Sequence, residues 1–190
     1  MNHKKFEKIV VIGASAGGIN AVKQILSAMP KNFPAPIIIA QHMNSFMNMF
    51  FLDYLNSYTQ LKVKEVQHME LLMPGRVYYI PPNYHALYEN YRIVLNADAK
   101  VNYSRPSIDV LFESVAFEER ENVIGVILTG ANSDGAYGLS LIEIKGGVCI
   151  VQNPEDAESQ EMPKAAIKVL RNPQISFLSD IPSELIKLVN

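Results

Sequence analysis

A serine, a histidine and an aspartate each come shortly after a run of apolar, largely β-branched residues, which is the pattern of a strand buried on both faces of a sheet. They are Ser15 after residues 9–12, His42 after residues 37–40, and Asp134 after residues 123–128. Because the carboxyl ends of parallel strands share one edge of a sheet, we expect these side chains to meet there. A hydroxyl, an imidazole and a carboxylate in mutual contact can perform nucleophilic catalysis. The sequence therefore favours a serine hydrolase.

Small residues surround Ser15 and join the first predicted strand to a helix. Residues 13–17 read G-A-S-A-G, which matches the G-x-S-x-G nucleophile elbow, and the amide of Ala16 is then a candidate oxyanion donor. A dinucleotide site fits poorly, because serine replaces the second glycine and the second strand ends without an acid. A P-loop is excluded, because no lysine follows the last glycine. An alternative that the motif leaves open is that Ser15 only caps the helix.

The histidine and the aspartate also have structural alternatives. His42 could be a strand-end histidine that binds a backbone carbonyl, and Asp134 could be the N-cap of the helix that follows it. Of the four histidines, His42 is the best placed for catalysis, because His3 lies near the terminus, His68 in a loop and His85 in a predicted antiparallel segment. The order serine, histidine, aspartate differs from that of the α/β-hydrolases, so the elbow does not imply their fold.

Predicted strands and helices alternate along most of the chain. The strands are predicted at residues 9–12, 37–40, 77–80, 123–128 and 148–151, and the helices at 19–29, 45–57, 107–119, 135–145, 162–170 and 181–189. Between residues 60 and 100 short strands and turns predominate, with 91–95 expected to pair back on Leu87 and Tyr88. We predict an α/β fold: a three-layer, doubly wound, mostly parallel sheet with helices on both faces and an antiparallel flank. Residues 1–190 are expected to form one domain.

Composition excludes several classes of function. The 17 basic residues are outnumbered by 19 acidic ones, so nothing favours binding to nucleic acid or to an anionic membrane. The single cysteine, Cys149, cannot form an intramolecular disulfide, which suits a reducing cytoplasm, and its place in a predicted buried strand argues against a nucleophilic role. No histidine pair or Cys-His spacing indicates a metal site. No apolar run approaches the roughly 20 residues that span a bilayer, so no membrane insertion is expected.

Several longer motifs occur in one order from about residue 8 to about residue 170. They are IGASAGG, AQHM, GRVYYIPPNYH, SRPSIDVLFESVA, VIGVILTGANSDGA and EMPKAA. With these motifs the chain resembles the catalytic domain of the CheB chemotaxis methylesterases. The resemblance implies that Ser15, His42 and Asp134 form a catalytic triad. The chain departs from the family pattern at Ala16 and Asn44, and in the loop of residues 131–133.

The resemblance also implies an activity and a partner. Family members hydrolyse γ-glutamyl methyl esters on the cytoplasmic helices of chemotaxis receptors, releasing methanol, and some deamidate receptor glutamines; no cofactor is implied. A receiver domain usually precedes the catalytic one, but here a strand is predicted from residue 8. Either the protein is a stand-alone member, controlled in another way such as by a separate regulatory protein, or the chain is part of a longer one. Two other functions stay open: an esterase of the same fold with another ester or amide substrate, and a non-catalytic receptor-binding module.

Overall fold

The computed structural model describes residues 6–43 and 49–190. The strands are β1 (Ile9–Ala14), β2 (Ile37–Gln41), β3 (Lys62–Glu65), β4 (Glu70–Leu71), β5 (Arg76–Tyr79), β6 (His85–Glu89), β7 (Arg92–Asn96), β8 (Val123–Ile127), β9 (Val148–Gln152) and β10 (Gln174–Ser176). The helices are α1 (Gly18–Ser27), α2 (Met49–Asn56), α3 (Ile108–Glu119), α4 (Ala136–Ile144), α5 (Glu161–Val169) and α6 (Ile181–Leu188). Each helix predicted from the sequence overlaps one of these. His3, Asn44 and the first residues of the predicted helix over 45–57 lie outside the described residues.

A parallel sheet is the centre of the fold. Over the described ranges it has seven strands in the order β10-β9-β8-β1-β2-β5-β3, and all neighbouring pairs are parallel. The chain leaves β1 towards β2 on one side and later returns to β8 on the other, so β1 lies where the strand order reverses. In open α/β sheets the crevice beyond such a switch point is where ligands bind. This topology sets β1, β2 and β8 side by side with their carboxyl ends at one edge.

Apolar side chains of the strands point alternately to two cores. Val10 and Ile12 of β1 pack with α1, α2 and α6 on one face, and Ile9 and Val11 pack with α3, α4 and α5 on the other. Because both faces are covered, the central strands are buried along their whole length, which is why they appear as uninterrupted apolar runs. The prediction of a doubly wound sheet with helices on both faces is confirmed.

The antiparallel strands form a sheet of their own. Among the described residues β4, β7 and β6 make a three-stranded sheet, in which Tyr88 pairs with Ile93 and Leu87 with Val94, as the sequence predicted. This sheet packs against α3 and does not extend the edge of the parallel sheet. The edge position is taken by β3, which pairs in parallel with β5 and was not predicted as part of the main sheet.

Phe112 on α3 provides a test of the core between the sheet and helices α3, α4 and α5. It is fully buried, and its Cβ lies so close to Gly138 of α4 that a side chain at that glycine would meet it at 2.6 Å. We expect Phe112→Ala to lower the free energy of unfolding by about 3–5 kcal/mol. The matched control is Phe117→Ala on the same helix, because Phe117 is 52% exposed and should cost less than about 1 kcal/mol. Urea denaturation of both variants measures the difference, and equal losses would contradict this packing.

Candidate active site

Ser15 follows β1 directly and is held by its backbone. Its N–H donates to the carbonyl of Thr129 in the loop after β8 (3.0 Å), and its own carbonyl accepts from the N–H of Gly18 (2.9 Å). The N-cap of α1 is Gly17, in the left-handed conformation at φ 77°, and no described side chain caps this helix. The alternative that Ser15 only caps the helix is therefore wrong. Among the described residues its hydroxyl has no hydrogen-bond partner, and Ser15 lines the cavity at this edge of the sheet.

A cavity of about 380 Å³ opens at the carboxyl ends of β1 and β2. Its wall includes Ser15, Ala16, His42 and Glu158. The N–H of Ala16 has no acceptor among the described residues, and it lies at the N-terminal end of α1, where the helix dipole favours negative charge. The cavity is thus lined by the hydroxyl of Ser15, the imidazole of His42 and the N–H donor of Ala16.

Gln41 adds a fixed polar group to the lining of this cavity. It is the last residue of β2, is almost fully buried, and accepts a hydrogen bond on Oε1 from the hydroxyl of Tyr79 (3.2 Å). Burial raises the pKa of Tyr79 well above its usual value, so its hydroxyl stays protonated and remains a donor. With Oε1 occupied in this way, the Nε2 amide of Gln41 lies beside Gly18, at the start of α1.

Glu158 also lies on the wall of this cavity. In the sequence it stands in an acidic loop after β9, and of Glu155, Asp156, Glu158 and Glu161 it is Glu158 that lines the cavity. Its side chain lies across Gly17, where any Cβ would come within 2.8 Å of Oε2. Glycine at this position therefore serves two needs, the positive φ and the space for the glutamate.

His42 is tied to the end of β1 and paired with Asp134. Its N–H donates to the carbonyl of Ala14 (3.1 Å), and its Nε2 lies 2.8 Å from Oδ2 of Asp134. An ionised carboxylate only accepts hydrogen bonds, so Nε2 carries a proton and donates it, and Nδ1 is the ring nitrogen that can carry the lone pair needed by a base. That atom faces the side-chain amide of Asn132, 3.4 Å from Nδ2. Within residues 6–43 and 49–190 no hydrogen bond joins the hydroxyl of Ser15 to His42.

Asp134 is fully buried, and the start of α3 surrounds its carboxylate. From described residues it accepts five hydrogen bonds, which come from His42 Nε2, the N–H groups of Ile108 and Asp109, Ser107 Oγ and Asn102 Nδ2. The N-cap of its own helix, α4, is Gly135, so the alternative that Asp134 caps α4 is wrong. Burial alone would raise the pKa of Asp134, but the bonds from His42 and Ile108, with those from Asp109 and Ser107, outweigh it and hold that pKa below its usual value.

A second carboxylate, Asp109, lies beside the first. It accepts hydrogen bonds from the N–H of Gly138 (2.7 Å) and from Nδ2 of Asn102 (2.8 Å), so one amide group serves both acids. Burial raises the pKa of Asp109, and the negative charge of Asp134 adds to this. The two carboxyl groups therefore shift in opposite directions, and Asp134 is the one held firmly as an anion.

The remaining candidates lie away from the cavity. Burial raises the pKa of the Cys149 thiol to about 12, and Sγ donates to the carbonyl of Leu139, which rules out a nucleophilic thiolate. His85 binds the carbonyl of Ala99 and accepts from the N–H of Ser107, so it is structural. No group of three or more His, Cys, Asp or Glu side chains in the described ranges could hold a metal ion. None of the described helices is both long and apolar enough to cross a membrane.

Comparison with known proteins decides the family. The family model for the CheB methylesterase matches residues 10–185. The chain belongs to the CheB methylesterase family. A crystal structure of the Thermotoga maritima CheB methylesterase catalytic domain superposes on it with a TM-score of 0.89 and 34% identity, covering 96% of this chain and 98% of that one.

Curated relatives agree with that match. A Leptospira interrogans protein named, provisionally, a protein-glutamate methylesterase/protein-glutamine glutaminase is 43% identical over 180 residues, which are 94% of this chain and 93% of the relative. A Salmonella typhi protein-glutamate methylesterase/protein-glutamine glutaminase is 36% identical over 97% of this chain, but the match spans only 54% of that relative. The predictions of a CheB-type catalytic domain and of a hydrolase of the methylesterase class are confirmed.

Several residues around Ser15, His42 and Asp134 were not predicted individually. Ser107 and Asp109 stand in the SRPSID motif, and a serine directly before a helix with an acid in its first turn is a recognisable cap pattern that could have pointed to them. Asn102 and Asn132 gave no such signal. Their contacts join segments about 30 to 90 residues apart, which no local pattern reports.

The buried Asp134 carboxylate predicts a pH-dependent loss of stability. We expect Asp134→Asn to lower the free energy of unfolding by about 2–4 kcal/mol at neutral pH. The reason is that the NH2 group of the asparagine would face N–H and O–H donors that now bind the carboxylate. Since the folded pKa lies below the unfolded value of about 3.9, the contribution is complete above that value. It is then lost as the pH falls through the folded pKa.

Urea denaturation from pH 7 down to pH 3 measures this difference between wild type and variant. The control is Asp180→Asn, an exposed aspartate that makes no side-chain cap at the start of α6. A difference that stayed constant or grew on acidification would contradict the described role of Asp134.

Proposed function

We propose that this protein is a protein-glutamate methylesterase that hydrolyses γ-glutamyl methyl esters on the cytoplasmic helices of chemotaxis receptors and releases methanol. Membership in the CheB family and the names of the relatives support this activity. The observation that carries the proposal is the hydrogen bond of 2.8 Å between His42 and a buried, ionised Asp134, with that imidazole and Ser15 on the wall of one cavity.

In the first half of the reaction Ser15 is the nucleophile. Its Oγ attacks the γ-carbonyl carbon of the methyl ester while its proton passes to the lone pair on Nδ1 of His42. The imidazolium that forms keeps its Nε2–H on Asp134, whose charge stabilises it. Collapse of the tetrahedral intermediate breaks the bond to the methoxy oxygen, which leaves as methanol with the proton from Nδ1. The γ-acyl group then remains on Ser15.

In the second half of the reaction water repeats the attack. Nδ1 of His42 takes a proton from water, the hydroxide adds to the acyl carbon, and the bond to Ser15 Oγ breaks as the proton returns to that oxygen. The products are the regenerated hydroxyl and a γ-carboxylic acid, which loses its proton to solvent and becomes the carboxylate. The amide of Ala16, at the positive end of α1, is the oxyanion donor of this proposal, because it is free and next to the nucleophile.

Glutamine deamidation is a second activity that the same groups can perform. The relatives' names join the glutaminase activity to the esterase, and the chemistry differs only in that ammonia leaves in place of methanol. An amide is the poorer acceptor of a nucleophile, so the leaving nitrogen depends more on protonation by His42.

The proposed setting is the cytoplasm, where the acceptor helices of the receptors lie. The proposed mechanism uses no cofactor. His42 carries out each proton transfer, Asp134 stabilises the imidazolium, and the amide of Ala16 stabilises the oxyanion. A separate regulatory protein is proposed as a further partner that controls this catalytic domain.

Replacement of the nucleophile separates catalysis from folding. We expect Ser15→Ala to abolish methanol release from methylated receptor membranes while leaving the melting temperature nearly unchanged, because the turn around it is held by backbone hydrogen bonds. Ser27→Ala, at the exposed far end of the same helix, is the control and should retain full activity. Turnover that persisted in folded Ser15→Ala would overturn the assignment of the triad.

Replacement of the orienting carboxylate should act through the tautomer of His42. An amide at position 134 can donate to Nε2, which moves the ring proton to Nδ1 and removes the base. We therefore expect Asp134→Asn to lower turnover by up to about 10,000-fold, the effect of the same change in a serine-protease triad. Assays must be run at a temperature at which circular dichroism shows the variant to be folded. A rate within a few-fold of wild type would mean that Asp134 is only structural.

A further inference from the structure

The amide of Asn132 lies against the atom of His42 that the proposed reaction needs as its base. We propose that Asn132 is a positioning residue that occupies Nδ1 of His42 in the resting site and must release it before Ser15 can be activated. This inference rests on the proposed function, since it concerns the same hydroxyl and the same imidazole.

The orientation of the Asn132 side chain follows from its other contact. Its Oδ1 accepts the N–H of Asp134 (3.1 Å), a local turn in which an asparagine binds the backbone two residues on. Because the oxygen is held there, the nitrogen is the end that faces the imidazole, 3.4 Å from Nδ1. The loop after β8 therefore supplies both the carboxylate on one side of the ring and the amide on the other.

Competition for a single lone pair is the consequence. A neutral imidazole has one acceptor nitrogen, and here Nε2 is used as a donor to Asp134. The proposed reaction requires Nδ1 to accept from Ser15, whereas in the resting site the described contact of Nδ1 is with Asn132. In this proposal, the contact with Asn132 occupies Nδ1. This accounts for the lack, among the described residues, of a hydrogen bond between Ser15 and His42.

The contact is suited to release. At 3.4 Å it is longer than the usual hydrogen bond, and Asn132 is only partly buried, so the amide nitrogen is held weakly on His42 even while Oδ1 stays bound to the N–H of Asp134. His42 lies on the wall of the cavity, so an ester bound there places carbonyl acceptors beside the imidazole, and in this proposal the amide of Asn132 exchanges Nδ1 for one of them. Nδ1 is then open to the serine hydroxyl, so activation of Ser15 is linked to occupation of the site.

Labelling of Ser15 by a fluorophosphonate tests this without a receptor substrate. The serine oxygen forms a bond to phosphorus, fluoride leaves, and the serine proton goes to His42, so the labelling rate reports how free the base is. We expect Asn132→Ser to be labelled about two- to fivefold faster than wild type, which is the loss of one weak hydrogen bond that competes with activation. The serine hydroxyl keeps an acceptor for the N–H of Asp134 but carries no amide.

A matched control lies in the next loop. Asn153 makes the same kind of turn, with Oδ1 accepting the N–H of Glu155 (3.0 Å), and Asn153→Ser should leave the labelling rate unchanged. A second readout is the nitrogen-15 NMR signal of His42 Nδ1 in the resting enzyme, which should move in Asn132→Ser and stay in place in Asn153→Ser. A purely structural role for Asn132 would not produce faster labelling together with this shift.

The outcomes are distinct. Unchanged or slower labelling of folded Asn132→Ser, with wild-type Ser15 labelled and active, would overturn this inference alone. If wild-type Ser15 were neither labelled nor required for ester hydrolysis, the proposed function would fail and the inference with it. Should Asn132→Ser unfold, Asn132→Ala under the same assay carries the same expectation and the same refutation.

Discussion

Burial of one negative charge governs the architecture of this site. A carboxylate taken out of water is strongly unfavourable unless donors surround it. For Asp134 these donors come from separate parts of the chain: the end of β2, the segment before α3, and the first turn of α3 itself. The positive end of α3 adds to their effect. Satisfying this one carboxylate therefore fixes the relative positions of elements that would otherwise be joined only through the core.

Sheet topology supplies the other half of the arrangement. Since β1 lies between β2 and β8, the residues that follow these three strands are neighbours at one edge. The backbone reinforces this, because the residue after β2 donates to the end of β1, and the residue after β1 donates to the loop after β8. The catalytic groups proposed here are thus separated by many residues in sequence but by single strand spacings in the fold.

How much the sequence could predict depended on how local each signal was. β1, β2 and β8 were predictable because they are buried on both faces, and Ser15 and His42 followed from their places at the strand ends. β3 was missed because an edge strand has one hydrogen-bonding side without a neighbouring strand, and its charged ends, Lys62 and Glu65, hide the parallel pairing of Val63. The cap pattern at Ser107 and Asp109 was visible in the sequence, but their contacts with Asp134 could not be predicted, because only folding brings α3 to that carboxylate.

Glu158, which lies across Gly17, favours release of the product in the proposed reaction. The ester that enters the cavity is uncharged at its reacting group, whereas the acid that leaves it carries a negative charge. Glu158 stands on the cavity wall with a charge of the same sign, so it repels the product but not the substrate. In the proposed reaction this repulsion disfavours occupancy of the cavity by the γ-carboxylate product, so the product is released and the cavity is free for the next ester.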